Sequence, residues 1–212
     1  MSEWQTIQEF FNTFASEKYV VLRNYENLCL ALKNEAHSDI DILCEDRDRV
    51  IELTQLESRS KNPNDLIHRR ALIGGVNVDV DLRCVGDGYY DEKWERSILE
   101  RRVYWNNLCF APNEEDYFFS LLYHALIQKQ TMSSEYEQRL TKMGTGLGID
   151  YPVSIQTLEA YMHEKGYYYT YPEYIGAVFN TSKADKKLIK SDPKRKVKRF
   201  LARIKRKIRR NK

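Results

Sequence analysis

Acids stand inside two apolar, strand-like stretches of this chain, DIDILC at 39–44 and VNVDVDLRCV at 76–85. Asp disfavours strands and is expensive to bury, so acids alternating with Ile and Val need a reason. Side chains alternate across a strand. Ile40 and Ile42 therefore share one face and Asp39 and Asp41 the other, with the two acid Cα atoms about 7 Å apart. In the second stretch Val76, Val78, Val80 and Leu82 point one way, and Asn77, Asp79, Asp81 and Arg83 the other. A solvated outer sheet face would tolerate one such strand. Two of them favour convergence, and convergent carboxylates repel one another unless a cation neutralises them. Oxygen ligands without His or Cys favour Mg²⁺ or Mn²⁺ over zinc.

The elements around these strands are read from periodicity. Trp4, Ile7, Phe10, Phe11 and Phe14 mark an amphipathic first helix. Strands are expected at 19–23 and 39–44, a helix at 46–58, and two strands at 66–73 and 76–85 joined at Gly74-Gly75. A short helix follows at 91–102, then a small hairpin around Asn106-Asn107. From Asn113 the chain turns helical to 129, with further helices at 134–143 and 154–165. The fold class is α+β: a mixed sheet with flanking helices over 1–110, a helical subdomain over 111–182 and a basic tail over 183–212.

The formal net charge of +3 hides an asymmetry. Residues 183–212 hold 16 Lys and Arg against Asp185 and Asp192, and so carry +14, while the other 182 residues carry −11. In the tail Val197, Phe200, Leu201, Ile204 and Ile208 recur at helical spacing, with bases on the other faces. Such a helix over 191–210 suits an anionic membrane surface. The alternatives are docking on the body and binding nucleic-acid phosphates. The latter is weakened because Phe200 is the sole aromatic among these bases.

Mean hydropathy is −0.65, and no apolar run approaches the roughly 20 residues of a membrane span. The N-terminus lacks the layout of a secretory signal. The four cysteines, at 29, 44, 84 and 109, form no CxxC and no disulfide framework. A cytoplasmic chain is expected, peripheral on the inner face of the cell membrane if the tail binds there.

LRNYENL (22–28), SDIDIL (38–43) and VDVDLR (78–83) together resemble the nucleotidyltransferase (DNA polymerase β-like) superfamily. Its core is a glycine-containing strand–loop, a DxD on the next strand and a third Asp on a later one. The resemblance covers residues 19–90 at motif level, with helical continuation to about 165. It implies Asp39 and Asp41 as metal ligands. Asp81 is the third, preferred to Asp79 because Asp-Leu-Arg is closer to the family's strand, and it is also the candidate general base. The family's Gly-Ser is absent, and Arg23-Asn24 stands in its place, similar to divergent members that read LRGYE. Arg23 either contacts phosphate or pairs with an acid. Arg23, Asn24, Ser38 and Lys129 are the candidates for holding a nucleotide or nucleotide-linked donor.

The resemblance implies metal-assisted transfer of a nucleotidyl or phosphorylated group to a hydroxyl. The divergent pattern often accompanies polysaccharide-assembly genes, which implies a sugar or surface-glycan acceptor. A soluble small-molecule or protein nucleotidyltransferase, and a non-catalytic nucleotide- or RNA-binding module, are the rival readings. Gly86, Asp87 and Gly88 read as a ligand-approaching turn or a plain one. His124 reads as a core histidine, and Tyr167, Tyr168, Tyr169, Tyr171 and Tyr174 as a packed loop or a stacking surface.

Overall fold

The computed structural model describes residues 3–28, 32, 39–129, 132–170 and 184–190. The chain divides into two compact units, residues 1–85 with 95–117, and residues 86–94 with 118–212.

The first unit is built on a mixed six-stranded sheet. Glu3–Trp4 forms β1, and Ile7–Asn12 forms α1. Trp4 is therefore not on the first helix. It pairs in parallel with Ile73, and its indole N–H donates to Thr13 Oγ1 at 2.8 Å. Thr6 caps α1 by accepting from the Glu9 N–H, and the Glu9 carboxylate takes the Gln5 N–H in return. Ile7, Phe10 and Phe11 are buried, with Phe14 just beyond.

Tyr19–Val21 is β2 and Ile40–Cys44 is β3, an antiparallel pair. Arg47–Thr54 is α2, capped by Asp46. It ends short of the expected residue 58 because Gln55 turns left-handed, and Glu57–Ser58 then forms a short strand, β4. His68–Ile73 (β5) and Val76–Cys84 (β6) make the expected hairpin. Its turn needs Gly74 and Gly75, which sit at φ 55° and 75°. The sheet order is β1-β5-β6-β3-β2, with β4 on β5 and with β3 and β6 parallel. The core face carries Ile40, Ile42, Ala71, Ile73, Val78, Val80 and Leu82, all buried. Cys44 and Cys84 end the β3–β6 ladder as register partners, and the neighbouring thiol and burial together hold Cys44 well above the ordinary thiol range.

Glu92–Glu100 is α3. Val103–Trp105 (β7) and Cys109–Ala111 (β8) form the small hairpin, with Asn106 and Asn107 left-handed in its turn.

Asp65 organises the segment between β4 and β5. Its carboxylate accepts from the Ile67 and His68 N–H groups at 3.0 and 3.2 Å and meets His68 Nδ1 at 2.8 Å. Burial alone would raise this carboxyl, but the His68 ring and these N–H donors outweigh it and bring it down to about 2. A folded-state pKa below the unfolded value of about 3.9 contributes stability above that value, and the contribution is lost as pH falls through the folded one. Asp65→Asn is therefore expected to flatten the fall in thermal stability between about pH 4 and 2, read by melts across that window. Unchanged acid sensitivity would refute this.

The second unit is helical. Glu114–Tyr123 (α4) runs into a π-helical turn over His124–Gln128, where an uninterrupted α-helix is expected from the sequence. Ser134–Gly146 is α5 and Ile155–Lys165 is α6. Gly144 permits a close approach in this unit, since a Cβ there would lie 2.2 Å from Pro152 Cβ. Trp94 is the hub of the core, ringed by Tyr90, Tyr123, Tyr161 and Tyr167. Tyr167 and Tyr169 are thus packed inside, while Tyr168 is exposed. Leu188 is buried, and Ile189 bridges to Tyr169.

The expected basic helix at 191–210, together with Tyr171, Tyr174 and Cys29, lies outside the described residues. Among the described residues no helix is long and apolar enough to cross a membrane.

Candidate functional site

The parallel β3–β6 ladder sets Asp41 directly beside Asp81. Alternation puts both side chains, with Asp79 and Arg83, on the face opposite Val80 and Leu82. This face is not the solvated exterior that alternating acids also permit. Every residue of β3 is buried, and Asp41 is only 6% exposed.

Arg23 meets Asp41 because of how β2 ends. The Leu22 N–H donates to the Asp41 carbonyl at 2.8 Å, which carries Arg23 past the ladder and alongside the acid. Asn24 then turns left-handed at φ 54° and leads the chain into the short turn Tyr25–Asn27. The Arg23 guanidinium grips Asp41 as a fork, Nε to Oδ2 at 3.0 Å and Nη2 to Oδ1. Of the two roles open to Arg23, pairing with an acid is the one observed.

Asp81 lies between Asp41 on β3 and His68 on β5. Arg59 Nη2 donates to its Oδ1 at 3.0 Å, and Arg83 Nη2 stands 3.8 Å from its Oδ2. Arg59 Nη1 also donates to Asp79, whose other oxygen accepts from Arg70 Nε at 3.1 Å. Burial first, and the Asp41 charge second, push the Asp81 carboxyl above the ordinary carboxylate range, against the pull of Arg83, His68 and Arg59.

The structure thus sets Asp41 beside Asp81 and links Asp81 to Asp79 through Arg59. Asp39 sits exposed just before β3, and Ser38 lies outside the described residues. Among the described residues no three His, Cys, Asp or Glu side chains are grouped as a metal cluster. Lys129 is exposed in the second unit, after the π-helical turn. The turn at Gly86–Gly88 is closed by its own unit: Asp87 accepts from the Tyr89 N–H, and the Thr170 hydroxyl sits 3.0 and 2.8 Å from the Gly88 and Tyr90 carbonyls. His124 is half-buried, 2.9 Å from Gln128 Oε1 through Nδ1.

The residues missed from sequence are Arg59, Arg70 and His68. Arg70 and His68 were within reach. Counting back from the Gly74-Gly75 turn sets Arg70 opposite Asp79 and His68 opposite Asp81. Nothing in the sequence marks Arg59.

Asp41 and Asp81 set two oxygen donors side by side, but the acids of this face are already paired with arginine: Asp41 with Arg23, Asp81 with Arg59 and Arg83, Asp79 with Arg59 and Arg70. The His68 ring, across from Asp81, has its Nδ1 committed to Asp65. No protein-family model, curated protein or solved structure matches the chain.

Proposed function

We propose that the chain is a Mg²⁺-dependent transferase of nucleotidyltransferase-like fold, moving a nucleotidyl or phosphorylated group onto a hydroxyl of a sugar or surface-glycan precursor. The observation that carries this reading is the pairing of Asp41 with Asp81 across parallel strands, with Asp39 two residues earlier on the chain. The chain order supports it as well: the strand leading into Arg23-Asn24, the DID strand beside it and the later strand carrying Asp81 follow the sequence of the resembled core.

Asp39, Asp41 and Asp81 would hold the ion, with Asp79 as the reserve ligand. An ion held there would supply Lewis-acid charge for the acceptor hydroxyl and for the phosphorus and leaving group. Asp81 has a chain-derived role of its own. It is the candidate general base for the hydroxyl proton, or the group that orients the attacking hydroxyl. Arg23 and Asn24, where β2 ends, are the candidate contacts to the donor within this unit. The tail would hold the protein to an anionic membrane surface on the cytoplasmic side, near a lipid-linked acceptor.

A non-catalytic nucleotide-binding module is the second reading, favoured by the fork through which Arg23 closes both oxygens of Asp41.

Thermal melts with Mg²⁺ and a panel of nucleotides and nucleotide-sugars test the first reading. A ligand at 100 times its dissociation constant adds about 2.7 kcal/mol, an easily seen rise. The native chain is expected to show a Mg²⁺-dependent rise that the double variant Asp39→Asn with Asp41→Asn loses. A rise that is independent of Mg²⁺ and survives in the double variant would favour the binding module.

A further inference from the structure

We propose that Cys44 and Cys84 form a two-thiol oxidation site, at which a hydroperoxide closes a disulfide between β3 and β6. This stands independently of the transfer reading above.

Cys44 and Cys84 are register partners at the end of the parallel β3–β6 ladder. Partners in such a ladder turn their side chains to one face, here the core face that Ile42 and Leu82 also occupy. Each thiol crosses to the other strand. Cys44 Sγ lies 3.2 Å from the Arg83 carbonyl oxygen, and Cys84 Sγ lies 3.4 Å from that of Glu45. The two thiols are also within hydrogen-bond reach of each other. Neighbouring strands lie about 4.8 Å apart, inside the roughly 4.4–6.8 Å of Cα separation that a disulfide spans. Side-chain rotation thus joins the sulfurs without parting the strands.

The two residues differ in access. Cys44 has no exposed surface, and the Cys84 thiol beside it, together with burial, keeps it protonated. Cys84 is half-buried and is the sulfur that an oxidant meets first. Its thiolate attacks one oxygen of the hydroperoxide. The O–O bond breaks, Cys84 becomes a sulfenic acid, and water or an alcohol leaves. Cys44 Sγ then attacks the Cys84 sulfur, the S–O bond breaks, and the hydroxyl departs as water with the Cys44 proton. The two sulfurs give up two electrons, and the peroxide takes them. Contact between the sulfurs makes up for the weak nucleophilicity of a protonated Cys44, because no second reactant has to diffuse in. Two equivalents of a small thiol reopen the bond by exchange and leave as their own disulfide. The closed bond lies three residues beyond Asp41 and Asp81 on the same two strands, and so locks the register in which those acids face each other.

Titration of the full chain with hydrogen peroxide, quenched by alkylation and read by peptide mass spectrometry, tests this. The expected product is a Cys44–Cys84 cross-linked peptide pair, with both thiols lost one for one and both recovered on adding dithiothreitol. In Cys44→Ser, dimedone is expected to trap a sulfenic acid at Cys84 at the same dose. In Cys84→Ser, Cys44 is expected to stay reduced at that dose. The native chain decides the matter by itself should either serine variant fold poorly. Three results overturn the proposal: Cys84 carried on to sulfinic acid beside a reduced Cys44, Cys84 cross-linked to Cys29 instead, or both thiols intact at a dose that oxidises the unfolded chain.

Discussion

Trp94→Ala is expected to destabilise the second unit by about 3–5 kcal/mol, the range for deleting a large buried aromatic. Trp94 has no exposed surface. Its ring stacks on Tyr167 at 5.5 Å and meets Tyr90, Tyr123 and Tyr161 at 4.9, 5.7 and 5.6 Å. Each aromatic pair contributes about 0.5–1.5 kcal/mol beyond area burial, and their polar hydroxyls limit how far the tyrosines can collapse into the space left. Denaturant unfolding followed by circular dichroism measures the loss. A change under about 1 kcal/mol would mean that the ring cluster rearranges freely, contrary to the close packing of protein interiors. Trp94 is also the one tryptophan of its unit, since Trp4 and Trp105 belong to the other. Its fluorescence in the native chain therefore follows that unit separately.

Arg23→Ala is the second large effect. The partners of this pair are 12% and 8% exposed, so removal of the guanidinium leaves a carboxylate largely shielded from water. Breaking a buried pair from one side costs about 3–5 kcal/mol, against about 0–1 for a surface pair. Asp41→Asn combined with Arg23→Ala is expected to be less costly than Arg23→Ala alone, because the orphaned charge is gone. A double-mutant cycle measures this coupling. Mg²⁺ is expected to recover part of the stability lost in Arg23→Ala, since the ion can take over Asp41. Independent, additive losses without Mg²⁺ rescue would show Asp41 to be well solvated.

Much of the fold was legible because it depends on period and on turn chemistry. The Gly-Gly dipeptide gave the β5–β6 hairpin its register, the Asn pair located the β7–β8 turn, and apolar spacing located α3 to α6. Legibility failed where a tertiary partner decides. Trp4 has helical spacing with Ile7, yet a parallel seat beside Ile73 makes it a strand residue. Gln55 ends α2 by adopting a left-handed conformation that nothing in its neighbours demands. The π-helical turn at His124–Gln128 joins a helix whose apolar pattern runs straight through it, and Gln128 reaches the Tyr89 carbonyl at 3.0 Å from there. At the candidate site the acids and their common face were readable from alternation. Of their arginine counter-ions, Arg23 was readable as one of two alternatives and Arg70 from the hairpin register, whereas Arg59 was not, because it acts from a connection whose course is set by the sheet.

The seat of β1 beside β5 also governs the order in which the sheet can assemble. Glu3 and Trp4 find their partners only in Leu72 and Ile73, and β3 waits for β6. At about 5–20 residues per second of synthesis, roughly 3–14 s separate the emergence of Trp4 from that of Ile73. In that interval Phe11 and Phe14 can meet Tyr19 of β2, but the sheet still lacks its β5–β6 hairpin. Parallel pairing across such separations is intrinsically slow. The nascent chain is therefore most exposed to self-association before its hairpin closes, and its soluble yield should respond to slower growth temperature more than to any change in the finished protein's surface.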